Sequence, residues 1–415
     1  MLYICNVKYT IKMLKDVLKS IVESQQEWLA PGNKEIEREQ CDRFLSLPPF
    51  VYIITGVRRA GKSTFLKQIM RRQNSLNYFN FEDSRSVEFQ ISDFLLLEEI
   101  FENLNGNSQM IFFDEIQNVE GWERYVRDAV DRKKTVLITG SNARLLSREL
   151  GTKLTGRHLD FEMFPFSYTE YLSFTGVSQG QESFISFLIH GGFPGYLQIG
   201  KEEMLSTLVT DILYRDIFSR YNLRNQEAYS KIVRFLLSNV SKEVSFSNIK
   251  NTFELGSATS AMDFLHYLTD SYLLFLVPMY HSSLKVQARN ARKVYAIDQG
   301  LVHFYSASAS PDNGRLLENT LFLELRRRGN QVWYFKGKRE CDFIYKDKRN
   351  KYSAMQVSWE VNPTNEKREI DGLFEAMQQL ELKEGCIITF NQEDQITMDG
   401  KLIKLIPAWK WIAEN

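Results

Sequence analysis

Gly56-Val57-Arg58-Arg59-Ala60-Gly61-Lys62-Ser63 has the spacing G-x-x-x-x-G-K-[ST], with Thr64 next. Glycines let main-chain N–H groups close around an anion, the lysine reaches the outer phosphates, and the hydroxyl suits the metal that accompanies a triphosphate. Gly56, Val57, Arg58, Arg59, Ala60, Gly61, Lys62, Ser63 and Thr64 are therefore the expected nucleotide contacts. ATP is the expected ligand, with Mg²⁺ held by Ser63 and by Asp114. About 50 residues after the loop, Met110-Ile111-Phe112-Phe113-Asp114-Glu115 is an apolar run ending in two acids. Asp114 fits the metal, and Glu115 fits polarising the water that attacks the γ-phosphate. That second acid favours hydrolysis over transfer to a small acceptor. Thr135–Ile138 then leads into Thr139-Gly140-Ser141-Asn142, where Ser141 or Asn142 is expected to sense the γ-phosphate or to cap the next helix. Arg144, Arg148 and Arg157 follow, and Arg157 is the expected arginine finger. The expected catalytic set is Glu115, Lys62, Arg157 and Asn142.

Groups spaced this way meet only if strands end where the motifs begin. The runs FVYIITG, NYFNF, QMIFFDE, KTVLITGS and HLDFEMF alternate with helical stretches from Phe50 on. Buried strands alternating with helices imply a mostly parallel sheet covered on both faces. Upstream, residues 10–29 and a charged stretch from Lys34 to Phe44 read as helices of an N-terminal arm, separated by Pro31-Gly32. After Pro165 helices dominate, interrupted by Gly191-Gly192-Phe193-Pro194-Gly195. Three helices and two strands between Tyr229 and Ile297 match a winged helix-turn-helix. Beyond Pro311 the order helix, three strands, helix, strand makes another α/β unit. The expected division is 1–48 arm, 49–165 ATPase core, 166–225 helical lid, 226–310 winged helix and 311–415 C-terminal domain.

Composition narrows the classes. The 415 residues are 43% hydrophobic and 25% charged, the usage of a globular protein. Fifty-two basic and 52 acidic residues cancel, which excludes a globally basic DNA-coating protein. Cys5, Cys41, Cys341 and Cys386 lie far apart, which fits a reducing cytoplasm and neither a zinc ribbon nor a disulfide framework. The five histidines have no metal-ligand spacing. YLLFLVPM is the most apolar late run and is too short to span a membrane.

GVRRAGKST, IFFDEIQNVEGWE, LITGSNARLLSRELGTKLTGR, FPFSYTEYL and GGFP resemble the prokaryotic AAA+ ATPases that carry a C-terminal domain of unknown function with a nuclease-like fold. The likeness runs from about Ile54 to about Ser358. It implies an ASCE-type sheet, ATP hydrolysis and a ring-like or stacked homo-oligomer, a hexamer among the forms allowed, with Arg157 acting in trans. The fold class is thus α/β: an AAA+ P-loop parallel sheet with helical lid, a winged-helix module and a C-terminal PD-(D/E)XK nuclease-like domain.

Lys285, Arg289, Arg292 and Lys293 fall in nine residues without an acid and suit DNA phosphates. A solvated hairpin or a packing module is the rival reading. Glu318, Asp342 and Gln356 follow the order of a nuclease site, but Ser358 stands where the lysine belongs. Without that cation the transition state loses charge stabilisation, so the domain reads as a degenerate nuclease. The expected function is Mg²⁺-dependent ATP hydrolysis coupled to binding or remodelling DNA, branched or structured forms included. A nucleotide-dependent switch that binds a protein partner and an ATP-powered metal-dependent nuclease are the alternatives.

Overall fold

Val51–Gly56 is a mostly apolar run with all six residues buried, as a strand covered on both faces requires. It is β1 of a computed structural model that describes residues 13–29, 35–141, 156–306 and 312–414. The chain divides into two compact units, one of Met1–Gly56 with Gly61–Glu162, the other of Val57–Ala60 with Met163–Asn415.

In the first unit α1 (Lys15–Glu27) precedes β1, and then come α2 (Lys62–Gln73), β2 (Tyr78–Asn80), α3 (Phe94–Asn105), β3 (Met110–Asp114), α4 (Trp122–Asp131), β4 (Thr135–Gly140) and β5 (His158–Met163). The sheet order is β2-β3-β4-β1-β5, and the pairs β2–β3, β3–β4 and β1–β4 are parallel. Thus β4 lies between the loop-bearing and the acid-bearing strands. Parallel strands share one carboxyl edge, where ligands of open α/β sheets bind.

The expected N-terminal arm is not separate. Leu18, Ile21 and Val22 of α1 belong to the same buried cluster as Val51, Ile53, Phe113 and Ile138, so an amphipathic stripe at helical spacing docks on the sheet core. The charged stretch expected to be helical is not a helix over residues 35–40; a 3₁₀ turn follows at Cys41–Phe44. Its acids pair with α2 instead, Glu35 with Arg71 and Glu37 with Arg72.

The second unit opens with α5 (Tyr168–Thr175), α6 (Gln181–His190), α7 (Pro194–Ile199) and α8 (Glu203–Asp211), which continues into a π-helical stretch, Ile212–Phe218, and a last turn, Ser219–Tyr221. Then come α9 (Gln226–Leu237), β6 (Glu243–Val244), α10 (Phe246–Thr252), α11 (Ala258–Asp270), β7 (Leu274–Pro278), α12 (Leu284–Arg289), β8 (Arg292–Ala296) and α13 (Gln299–Tyr305). β6, β8 and β7 form a three-stranded sheet. The link from β7 to β8 contains α12 rather than forming the bare hairpin expected.

The unit ends with α14 (Asn313–Arg327), β9 (Gln331–Lys336), β10 (Glu340–Lys346), β11 (Tyr352–Ser358), α15 (Glu366–Gln379), β12 (Glu384–Thr389), β13 (Asp394–Met398), β14 (Lys401–Pro407) and α16 (Ala408–Glu414). The strands order as β13-β14-β12-β11-β10-β9, with β11–β12 and β12–β14 parallel and the remaining pairs antiparallel.

Gly191-Gly192 ends α6 for a steric reason. A Cβ on Gly191, where φ is +71°, would lie 2.1 Å from the Asp298 carboxylate, and one on Gly192 would lie 2.3 Å from the Phe166 carbonyl. Asp298 caps α13, and its carboxylate accepts the N–H groups of Gly192 at 2.7 Å and Leu301 at 3.2 Å. Only glycine permits that approach.

Candidate functional site

β1 runs directly into the glycine loop. Gly61 has φ +96° and Arg59 φ +64°, so the backbone enters the left-handed region at two nearby residues. The Ala60 N–H bonds the Val57 carbonyl at 3.3 Å, closing the turn. α2 starts at Lys62, and Ser63 and Thr64 lie exposed in its first turn, at the positive end of the helix dipole, where a helix directs main-chain N–H groups outward. The Lys62 ammonium is buried and donates to the Gly56 carbonyl at 3.0 Å.

At the end of β3, Asp114 is fully buried. Its carboxylate accepts from the Tyr78 hydroxyl at 3.0 Å and from the Thr139 hydroxyl. Burial, and then the Asp114 charge, push the Tyr78 phenol well above its usual pKa, so it stays a neutral donor. Glu115 has φ +53°, which turns the chain sharply after the strand, and its carboxylate takes the Gln117 amide. Its N–H donates to Thr139 Oγ1 at 3.0 Å. One hydroxyl at the end of β4 therefore holds both acids.

Thr139 was missed by the sequence reading, which looked to Ser141 or Asn142. Ser141 is buried, and Asn142, Arg144 and Arg148 lie outside the described residues. Arg157 pairs with Asp131 of its own chain, both half exposed. The donor set fits a metal nucleotide: a hydroxyl and a carboxylate are the hard oxygen ligands Mg²⁺ takes, and a lysine with helix-terminal amides suits phosphate.

Within the second unit the loop arginines have carboxylate partners. Arg58 forks onto Asp216, Nε to Oδ2 at 3.2 Å and Nη2 to Oδ1 at 3.0 Å, and Arg59 Nη2 meets Asp211 Oδ2 at 2.7 Å.

Of the four cations expected on DNA, Lys285 and Arg289 are exposed on α12 and Arg292 is half-buried at the start of β8. Lys293 corrects that expectation: it is 3% exposed, so it has no free face for DNA. The alternation of β8 turns it inward, where Nζ meets Glu340 at 2.6 Å, Asp342 at 3.0 Å and Glu318 at 3.2 Å. Glu318 on α14, Asp342 on β10 and Gln356 on β11 do converge. The Asp342 N–H donates to Gln356 Oε1 at 3.1 Å, and Gln356 Nε2 donates to Glu369 at 2.6 Å. The Tyr295 hydroxyl donates to Glu318 at 2.7 Å. Burial, then repulsion from Asp342, raise Glu318 to about 7 against the pull of Lys293. Burial opposes the charge of Lys293, but Glu318 and Asp342 outweigh it and keep the ammonium protonated. Glu369 was not expected from the sequence; it lies on α15, in the helix after the motif.

A family model described as an AAA domain matches residues 49–172, and a domain of unknown function, DUF8612, matches residues 181–312. Residues 49–172 thus carry an AAA domain, most of which lies in the first unit. An uncharacterized protein of Methanocaldococcus jannaschii is 35% identical over 397 residues, 88% of each chain. An uncharacterized protein of Haemophilus influenzae is 31% identical over 394 residues, 88% of this chain and 94% of its own. The chain belongs to the family of these two proteins. Among solved structures, a STAND signal-transduction ATPase with a tetratricopeptide repeat sensor from Pyrococcus horikoshii matches with 13% identity and a TM-score of 0.31, over 72% of this chain and 46% of its own. Among the described residues no helix is long and apolar enough to cross a membrane.

Proposed function

We propose that this protein hydrolyses ATP with Mg²⁺ and couples turnover to binding or remodelling DNA, branched or structured forms included. One observation carries the hydrolytic part: the glycine loop, Asp114, Glu115 and the Thr139 hydroxyl that ties the acids share one carboxyl edge of the sheet. Lys62 and the amides of the loop and of the first turn of α2 hold the phosphates. Ser63 and Asp114 would hold Mg²⁺, which when bound would supply positive charge against that developing on the transferred group. Glu115 orients and deprotonates the attacking water. Asn142 is the proposed sensor, and Arg157 the finger offered to a neighbouring copy in a homo-oligomer, a hexamer among the possible forms.

The three-stranded sheet with α9, α10 and α11 is proposed as a winged helix, and the C-terminal sheet as a degenerate PD-(D/E)XK domain. Lys285 and Arg289 are the exposed phosphate contacts, and Cys41, Cys341 and Cys386, without a disulfide among the described residues, fit a cytoplasmic setting.

Phosphate release by the full chain, with and without single-stranded, duplex and four-way DNA, tests the reading. Lys62→Ala is expected to abolish nucleotide binding, and Glu115→Gln to bind ATP without turning it over. Turnover that survives in Lys62→Ala overturns the site. Turnover indifferent to every DNA form favours a nucleotide switch for a protein partner.

A further inference from the structure

The second unit holds a cavity of ≈ 560 Å³ floored by Glu318, Asp342 and Gln356. Its lining cations and carboxylates are equal in number, and Lys293 beneath them adds another positive charge. Position in the cavity then decides its sign. The carboxylates are largely occupied from within: Glu318, Glu340 and Asp342 meet Lys293, Asp342 also accepts the Val357 N–H at 3.0 Å, and Glu369 takes Arg368 and Gln356. At the lip, Lys338 and Arg339 have exposed side chains and carry no ion pair among the described residues.

That lip is built. The Glu375 carboxylate accepts the main-chain N–H groups of Lys338 at 2.9 Å and Arg339 at 2.8 Å. A Cβ on Gly337 would fall 2.3 Å from the same carboxylate, so glycine is required for the turn to close on it. The backbone is pinned while both cations point outward. Trp359, half-buried with its ring stacked 4.3 Å from Phe390, lines the cavity. Exposed cations beside an indole are the groups that hold a single nucleic-acid strand, phosphates on the charges and a base on the ring. The volume suits a nucleotide-sized ligand and excludes a duplex.

We propose that this cavity binds a segment of single-stranded DNA without a divalent metal, Lys338 and Arg339 meeting the phosphates and Lys293 from β8 serving only as the buried counter-ion of the carboxylates on the floor. Sequence order hid the lysine, because it lies in the preceding module and reaches the acids only in the folded chain. One ammonium only partly offsets the three carboxylates that meet it, so the attraction for a strand comes from the cations at the lip; Lys293 stands where a metal would sit, and no bond is broken there. The inference rests on the DNA reading above and assigns it a place.

The test is fluorescence anisotropy of a fluorescein-labelled oligothymidylate with the full chain in EDTA, at two salt concentrations. Wild type is expected to bind. Lys338→Ala/Arg339→Ala, which alters only exposed side chains, is expected to weaken binding about tenfold or more and to flatten the log–log salt slope by about 1.4, two phosphate contacts at 0.7 each. Lys285→Ala/Arg289→Ala provides the comparison. Binding lost only in that second variant overturns the cavity and leaves the DNA reading standing. Binding that appears only with added Mg²⁺ or Mn²⁺ also overturns it. No binding by wild type at all overturns the cavity, and the DNA reading is then decided by the duplex and four-way forms. Lys293→Met leaves its carboxylates without a counter-charge and so can fail to fold, which is why the lip variant carries the test.

Discussion

Thr139 does two things at once, donating to Asp114 and accepting from the Glu115 N–H. Valine has the same shape and neither capacity, so Thr139→Val leaves the Asp114 carboxylate held by Tyr78 alone and removes the acceptor of the Glu115 N–H. Loss of a group that orients a metal ligand costs about 10–100-fold, and kcat for ATP is expected to fall by that much while Thr139→Ser keeps most of it. Steady-state phosphate release measures both, and a Thr139→Val enzyme at wild-type rate would remove the residue from the site. The glycine loop and both acids were legible in the sequence because their chemistry needs fixed spacing along one strand and the turn after it. Thr139 was not, because a threonine inside a β run reads as a strand former, and only the neighbouring of β3 and β4 puts its hydroxyl between two acids.

Asp211 and Asp216 are five residues apart, which an α-helix sets about 140° apart around its axis. They nonetheless meet the adjacent arginines Arg58 and Arg59, because the chain from Ile212 to Phe218 is π-helical and i→i+5 hydrogen bonding brings residues five apart toward one face. A wider turn of this kind costs packing and is commonly found at functional sites. Asp216→Asn is therefore expected to release Arg58 toward bound phosphate, lowering both KM for ATP and kcat by about threefold or more as product leaves more slowly. Arg58→Ala in the same chain should cancel the effect, whereas a pair with a purely structural role would shift melting and leave KM alone. Asp298, which joins α6 to α13, gives a pH signature. Burial raises it from 3.8 to about 6, against N–H bonds from Gly192, Leu301 and Gly300. Between those values the unfolded chain has lost the proton that the folded carboxyl keeps, so stability falls as pH rises through that window and is level above it. The difference is of order 3 kcal/mol. Asp298→Asn should abolish that slope and cost about 1–3 kcal/mol for a mispaired N–H, read as urea midpoints at about pH 4 and 6.5. The five strands of the first sheet, β7, β8 and β9 to β12 were legible from apolar periodicity, whereas β6, β13, β14, α12 and α13 were not. The π turn and the non-helical residues 35–40 were not, since each goes with ion pairs to residues distant in the chain that no local pattern announces.

At the scale of the whole molecule, what the sequence conceals is long-range pairing. Lys293 reads as one more cation in a basic run until the fold brings Glu318 and Asp342 onto it, and no local pattern announces that. Arg157 poses the same problem one level higher, because the partner proposed for it belongs to another copy. In its own chain it pairs with Asp131 on the surface, each side chain 54% exposed, and such pairs contribute about 0–1 kcal/mol. Arg157→Ala should therefore melt like wild type, so that a loss of turnover reports chemistry rather than unfolding. A finger supplied in trans makes a sharper claim. Lys62→Ala subunits have no working phosphate site but still offer an arginine; Arg157→Ala subunits keep the site and lack the arginine. Each alone is expected to be nearly inactive, and an equimolar mixture should regain a substantial share of turnover, wherever an intact loop faces an intact arginine. The wild-type rate per subunit should also rise with concentration until assembly is complete. A mixture no better than the mean of its parts, or an Arg157→Ala protein at full rate, would place the finger elsewhere or make each subunit self-sufficient.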